Sequence, residues 1–382
     1  MDTVVLGWYV VTQTGSVLLL TIFGSLQYVG TLAAPMFGVL GDRLGGRTML
    51  CAMRAIYAVL AAVLTALALG GLLTPGWVLA VAGLAGIVRP NDLAMRNTLI
   101  GATIPAGHLV GALGLSRATA DSARVFGALA GATLSSTLSL GSTYVFITAF
   151  YLVSLALTLR VSRTAPMGVA RPGPALAGTG RDLREGLVHV ARTPILLAMV
   201  LLAFLVNLTA YPATNGLLPY VARRIYHVDA TGLGWLVASF AGGGLLASIV
   251  TVLMTGARHP ERATVVASAA WHAALLIFGR VETMGPGLVA LFLAGFAQNV
   301  TMIGVAATLL SSAEPRFRGR VMGVRTLAIY GLPVGLILAG LLIERLGFPL
   351  TSTLFALVGL TVTAGIGLRW RDTLWRRPSV RL

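Results

Sequence analysis

Two apolar runs flank a short charged turn near the start of the chain: SVLLLTIFGSLQYVGTLAAPMFGVL (residues 16–40), GDRLGGR (41–47) and TMLCAMRAIYAVLAAVLTALALGG (48–71). Each run exceeds the roughly 20 residues that a helix needs to cross the hydrocarbon core of a bilayer. Helix is the conformation such a run must take, because lipid offers no partner to an open backbone N–H or C=O. The alternation continues downstream, with expected spans at 16–40, 48–71, 76–98, 107–135, 142–161, 194–218, 230–255, 264–281, 286–311, 320–346 and 348–370. The sequence thus predicts an all-α membrane protein with eleven full spanning helices. Ahead of them, residues 4–11 are apolar but rise only about 12 Å as a helix, too little to span. They read as the outer half of a truncated first helix.

Composition agrees. Hydrophobic residues make up 57% of the chain and charged ones 10%, with a mean hydropathy of +0.87. A water-soluble domain could not cover that much apolar surface. The net charge of +16 and pI near 11.4 raise the question of nucleic acid. A nucleic-acid binder gathers its cations on one soluble face with interleaved aromatics, whereas these are dispersed through the gaps. All 28 basic residues are arginine. The side that holds Arg43, Arg96, Arg163, Arg258, Arg318 and Arg376 collects about twenty of them, against Arg223, Arg224, Arg280 and Arg345 opposite. That asymmetry orients helices with their arginine-rich gaps in the cytoplasm; no nucleic-acid partner is expected. Cys51 is the only cysteine, so no disulfide framework or thiolate metal site is expected, and no cofactor.

The longest polar interruption, 162–193, carries Arg171-Pro172-Gly173-Pro174 and then Arg181-Asp182-Leu183-Arg184-Glu185-Gly186. Proline and glycine suit a flexible connection, and the charged part a short surface helix. The expected organisation is an N-terminal helical half at 1–161 with its first helix incomplete, a cytoplasmic linker at 162–193, a second half at 194–370 and a cytoplasmic tail at 371–382. Pro105 before one helix is matched by Pro315 before another, as a duplicated six-helix unit requires.

The sharpest local signal is Gly38-x-x-x-Asp42-Arg43-x-Gly45-Gly46-Arg47. Glycines permit a tight reversal, Asp42 can face a helix N-terminus, and Arg43 and Arg47 can pin carboxylates; an ordinary basic turn would look the same. The loop resembles that of the major facilitator superfamily, Gly-x-x-x-Asp-Arg-x-Gly-Arg-Arg, with Gly46 in place of a basic residue. Exporters of that superfamily also carry Gly-x8-Gly-x3-Gly-Pro-x2-Gly-Gly in the fifth helix. Here the six positions hold Gly114, Ala123, Gly127, Ala128, Gly131 and Ala132, all small, with Ala128 replacing the proline. Glu314-Pro315-Arg316-Phe317-Arg318-Gly319-Arg320, Pro333-x-Gly335-x4-Gly340-x6-Gly347, Leu218-Pro219 and Gly232-Leu233-Gly234 look like the enterobactin-exporter and macrolide-efflux branch. The resemblance implies a bundle of two six-helix halves, a monomeric exporter of the bacterial inner membrane with a cavity between rocking halves.

Ionisable groups inside spanning helices are functional candidates by default. Arg117, Asp121 and Arg124 share one helix face by their spacings of four and three, and are candidates for proton coupling or cargo contact, or for a structural clamp. Arg89-Pro90-Asn91-Asp92 interrupts another run, and proton-coupled relatives carry an arginine motif in this helix. Asp92 is four residues from Arg96 and is expected to pair with it, or with Arg43 or Arg47 as a gate. Asn207, Tyr211 and Asn215 lie at intervals of four and are cavity-lining candidates, with Gln298, Asn299 and Arg325. Gly114, Gly127 and Gly131 are expected to pack helices closely, and Gly242-Gly243-Gly244 to mark a close crossing with the helix at 107–135. Trp271-His272 reads as packing. No nucleophile–base pair, phosphate loop or metal spacing appears, so no enzyme is expected. The resemblance to the exporter branch implies proton-driven export of a small amphipathic molecule by alternating access. An importer of a small metabolite and a non-transporting sensor or scaffold are the alternatives.

Overall fold

The computed structural model describes residues 1–33, 45–103, 109–161, 175–253 and 259–375, and among these there is no strand. Two compact units divide the chain: Met1–Thr179 with Gly216–Ala238, and Gly180–Asn215 with Ser239–Leu382. The first contains α1 (Asp2–Thr14), α2 (Val17–Leu26), α3 (Gly46–Leu69), α4 (Pro75–Thr103), α5 (Leu109–Thr137) and α6 (Leu140–Leu159). The second contains most of α7 (Ala175–Arg192), α8 (Pro194–Thr209), the later part of α9 (Ala230–Leu253), α10 (Pro260–Phe278), α11 (Met284–Ser312), α12 (Arg318–Leu327), α13 (Gly331–Leu346) and α14 (Phe348–Arg369). Among the described residues, six helical stretches are long and apolar enough to cross a membrane on their own: Gly46–Leu69, Leu140–Leu159, Ala230–Thr251, Met284–Ser312, Arg318–Leu346 and Phe348–Arg369. The protein is a multi-pass membrane protein. The turn bearing Gly38, Asp42 and Arg43 lies outside the described residues.

Most helix ends fall close to their expected places, with four corrections. α2 ends at Leu26 and gives way to a 3-10 turn at Val29–Ala33 within the expected span 16–40, and a 3-10 turn at Ala328–Tyr330 divides the expected span 320–346 into α12 and α13. The first helix is longer than the apolar run at 4–11, because Thr12 and Thr14 turn their hydroxyls back onto the carbonyls of Tyr9 (2.9 Å) and Val10 (2.7 Å) and continue it. Gly15 stops it at φ 64°, and Ser16 caps α2 by accepting from the Leu19 N–H at 3.2 Å. The expected span 194–218 is broken. Pro212 has no N–H to give to Leu208, so α8 ends at Thr209 and is followed by short turns at Tyr211–Asn215 and Leu218–Tyr220.

Each unit has its own core. In the first, Val5, Val10, Val11, Leu20, Leu64, Val78 and Tyr144 are buried together; in the second, Leu196, Met199, Leu202, Val305, Leu309 and Val321. Small residues set the closest approaches. A Cβ on Gly86 would run into the Leu26 carbonyl, and one on Gly30 into the backbone of Ile87, so the end of α2 lies directly on α4. On α5, Ala128 and Ala132 are buried, and a Cβ on Gly234 would collide with that of Ala132. Gly131 faces Met1, with only 2.8 Å between a built Cβ and the methionine side chain, and Gly127 lies beside it; Gly114 is on α5 with surroundings outside the described residues. The run at Gly242–244 makes its close approach to α11. Gly243 abuts the Phe292 carbonyl and Gly295 of α11 reciprocally abuts that of Phe240. One consequence is testable in the first unit. Gly234→Ala is expected to destabilise by about 1–3 kcal/mol through overpacking, and Ala132→Gly in the same chain to recover most of it. Thermal melting of the two single variants and the double variant in detergent decides; no recovery in the double variant would place the strain elsewhere.

Candidate functional site

The close approach of α2 to α4 has a chemical outcome. It sets Gln27, buried at the end of α2, beside Arg89 on α4. Arg89 lies about 21 Å along α4 from Pro75, and Asp2 is the first residue of α1, about 18 Å from its end at Thr14. The Arg89 guanidinium donates through Nη1 to Thr3 Oγ1 at 2.9 Å and to Gln27 Oε1, and its Nη2 is 3.4 Å from Asp2 Oδ2. The other carboxylate oxygen, Oδ1, accepts from the Tyr144 hydroxyl on α6 at 2.6 Å. Arg89 also hydrogen-bonds the Tyr151 hydroxyl, and the Tyr151 ring lies 5.5 Å from that of Tyr57 on α3. Four helices thus converge on one ion pair.

The pair suits a reversible change of charge. Isolated, either ion would cost several kcal/mol in this setting; together, and held by four neutral donors and acceptors, they are tolerable. Side-chain exposures of 23% for Asp2 and 34% for Arg89 leave both within reach of a small solute. Asp2 was missed in the sequence reading because it precedes the apolar run instead of interrupting it. Arg89 was singled out, but its partner lies 87 positions away, and no periodicity connects them.

A second charged cluster lies further along α4. Asp92 pairs with Arg96, as the spacing of four suggests, and also with Arg54 of α3, each at 2.9 Å. Arg54 was not anticipated. The expected alternative partner Arg47 is engaged elsewhere, donating to the Leu159 carbonyl at the end of α6. Gly45, the other described member of the turn motif, adopts φ 82°, a left-handed backbone that favours glycine and starts α3. On α5, Arg124 is exposed and makes no ion pair among the described residues. The side chains of Arg117 and Asp121 lie outside the described residues, so their triad with Arg124 stays an expectation.

In the second unit the expected polar stripe divides. Tyr211 accepts from Gln298 Nε2 at 2.7 Å and stacks edge-on against Trp271 at 4.9 Å, and Arg325, partly buried on α12, lies within electrostatic range of it. These three residues form a polar cluster. Asn207 turns back on its own helix, donating to the Ala203 carbonyl at 2.8 Å, and Asn215 is exposed. Asn299 is buried and donates to Gly244 O and Ser248 Oγ (2.5 and 2.8 Å), tying α11 to α9 where the glycines meet. Asn207 and Asn299, expected as cavity-lining candidates, thus have their amides engaged in packing contacts. Trp271 and His272 are fully buried; His272 donates from Nδ1 to the Ser268 carbonyl at 2.8 Å, with Nε2 at the same distance from Thr209 Oγ1.

The family model described as Major Facilitator Superfamily matches residues 200–381. Multidrug efflux pump Tap of Mycobacterium tuberculosis is 26% identical over 361 residues, covering 92% of this chain and 84% of that protein. Among solved structures, a bacterial homolog of the human lysosomal transporter Spinster, in an inward-facing and unoccupied conformation, aligns with a TM-score of 0.70. Its identity is 14%, over 99% of this chain and 96% of that one. The nucleoside transporter NupG gives 0.71 at 13% identity, over 98% and 95%. The human organic anion transporter MFSD10 gives 0.63 at 19%, over 92% and 83%. The chain shares their fold, and its likenesses are to transport proteins rather than to enzymes.

Proposed function

We propose that this chain is a Major Facilitator Superfamily secondary transporter that exports a small amphipathic molecule, of drug or siderophore type, in exchange for protons by alternating access. The observation that carries the reading is the Asp2–Arg89 pair, held by Tyr144 and Gln27 and still partly open. A carboxylate whose partner is a permanent cation can release it only by taking a proton or a cationic cargo, which couples the two. Support for efflux comes from the likeness to a pump named for it and from the small-residue pattern on α5. The Tyr211–Gln298–Arg325 cluster would contact cargo from the second unit, and Arg117, Asp121 and Arg124 are further candidates on α5. In this reading the helices cross the bacterial inner membrane as a monomer. Loop 41–47 and Asp92 act as a gate at the cytoplasmic ends, with the linker and C-terminus on the same side.

The test is proton movement in liposomes containing the purified protein, with macrolides, siderophores and lipophilic dyes added in turn. A cargo-dependent proton flux is expected for at least one class. Transport of cargo with no accompanying proton movement would remove the coupling, and uptake against the expected direction would make the protein an importer.

A further inference from the structure

The linker helix α7 and the following spanning segment meet at a bend of 110°. Spanning helices tilt by only about 20° from the bilayer normal on average, so α7 lies near the plane of the membrane surface. Its faces differ accordingly. Val190 is buried in the core of the second unit, Leu183 packs against that core, and Gly186 sits on the backbone of Arg320. Leu187 and Val188 are instead exposed, apolar side chains on a helix that lies where acyl chains begin.

Beside them is a cleft of about 790 Å³ between α7 and residues 314–317. Four arginines and two glutamates line it, leaving an excess of positive charge. Both acids are already neutralised: Glu185 by Arg181 and Arg320, Glu314 by Arg316, all at 2.9 Å. The far wall is stiff, since the Phe317 ring stacks on His189 at 4.2 Å and carries Arg316 and Arg320 over its faces. Arg184 and Arg192 line the same cleft and have no ion-pair partner among the described residues. An arginine fork matches phosphate oxygens.

We propose that this cleft binds the phosphate head group of an anionic phospholipid, with Arg184 and Arg192 on the phosphate and Leu187 and Val188 against the upper acyl chain. The ligand chemistry is a phosphate ester, and the apolar pair beside the cleft selects the lipid over a free anion. The inference rests on the spanning fold and not on the transport reading. It is tested on the full chain in phosphatidylcholine micelles by titrating phosphatidylglycerol and counting bound lipid by native mass spectrometry.

Arg184→Gln with Arg192→Gln is expected to raise the dissociation constant about thirty-fold, from the usual contribution of one surface arginine to anionic-lipid binding taken twice. Arg345→Gln, an exposed arginine at the end of α13, should leave it unchanged, and the melting temperature without phosphatidylglycerol should match wild type. If the double variant does not fold, Arg184→Gln alone carries the test with about a fivefold rise. Equal affinity in wild type and variant, or equal retention of phosphatidylcholine, would overturn the proposal. So would inorganic phosphate binding as tightly as phosphatidylglycerol, which would make the cleft a site for free anions.

Discussion

Asp2→Asn is expected to lower cargo-dependent proton flux by about a hundredfold or more, the lower end of what a positioned proton-transfer group contributes. The amide keeps the shape and can still accept from Tyr144, whose hydroxyl is 2.6 Å from Oδ1. It cannot take up a proton or release Arg89 by doing so. Asp2→Glu keeps the chemistry with a longer reach and should retain a measurable fraction of the flux. Stability should fall far less than activity. Breaking a fully buried ion pair costs about 3–5 kcal/mol, but Asp2 and Arg89 are 23% and 34% exposed, which brings the expected loss to about 1–2 kcal/mol. Flux in proteoliposomes together with melting in detergent separates the two effects. Near-normal flux in the folded Asn variant would move the coupling role elsewhere, with Asp121 next to be tried.

Gly243→Ala should be the most damaging single substitution in the second unit. Its new methyl would strike the Phe292 carbonyl, and the reciprocal contact of Gly295 with Phe240 prevents the two helices from sliding apart locally. Backbone cannot rotate away as a side chain can, so a loss of about 3 kcal/mol or more is expected, the upper end for overpacking. The neighbours provide internal controls. A Cβ on Gly242 meets nothing nearer than Phe292 at 3.8 Å, and one on Gly244 comes no closer than 3.5 Å to Asn299. Gly242→Ala is therefore expected to be neutral or up to about 1 kcal/mol stabilising through helix propensity. Melting curves of the three alanine variants give the order; equal effects at all three positions would mean the crossing is looser than described.

Much of this architecture is readable in the residues because lipid imposes a length and a periodicity on every span. The ends of α3 through α6, α9 through α11 and α14, and the outer ends of α12 and α13, lie within a few positions of the hydropathy boundaries. Breaks were legible less well. Pro212 interrupts a run whose hydropathy is continuous, and hydropathy carries no account of a missing N–H. Sequence indicated that Gly242-Gly243-Gly244 would be a place of close approach, since only a bare backbone permits it. Which helix would fill the space depends on tertiary arrangement, and the partner is α11. The functional centre was half legible: Arg89 announces itself as a charge within an apolar run, while Asp2, Tyr144 and Gln27 are ordinary residues until folding brings them to it. Arg54 escaped notice for the same reason, its meaning being set by Asp92 on the next helix.

The arginine in that centre has an electrical consequence. A guanidinium stays charged at any physiological pH, so in the proposed proton-coupled cycle the Asp2–Arg89 pair would alternate between net zero and net plus one. Exchange of one proton for one uncharged cargo molecule would then move one charge per turnover, and 100 mV of membrane potential would add about 2.3 kcal/mol to each cycle. A monovalent cation in place of the uncharged cargo would leave the exchange blind to voltage and driven by the pH difference alone. The number of charges moved per cycle thus depends on the cargo, although the site that moves them is the same.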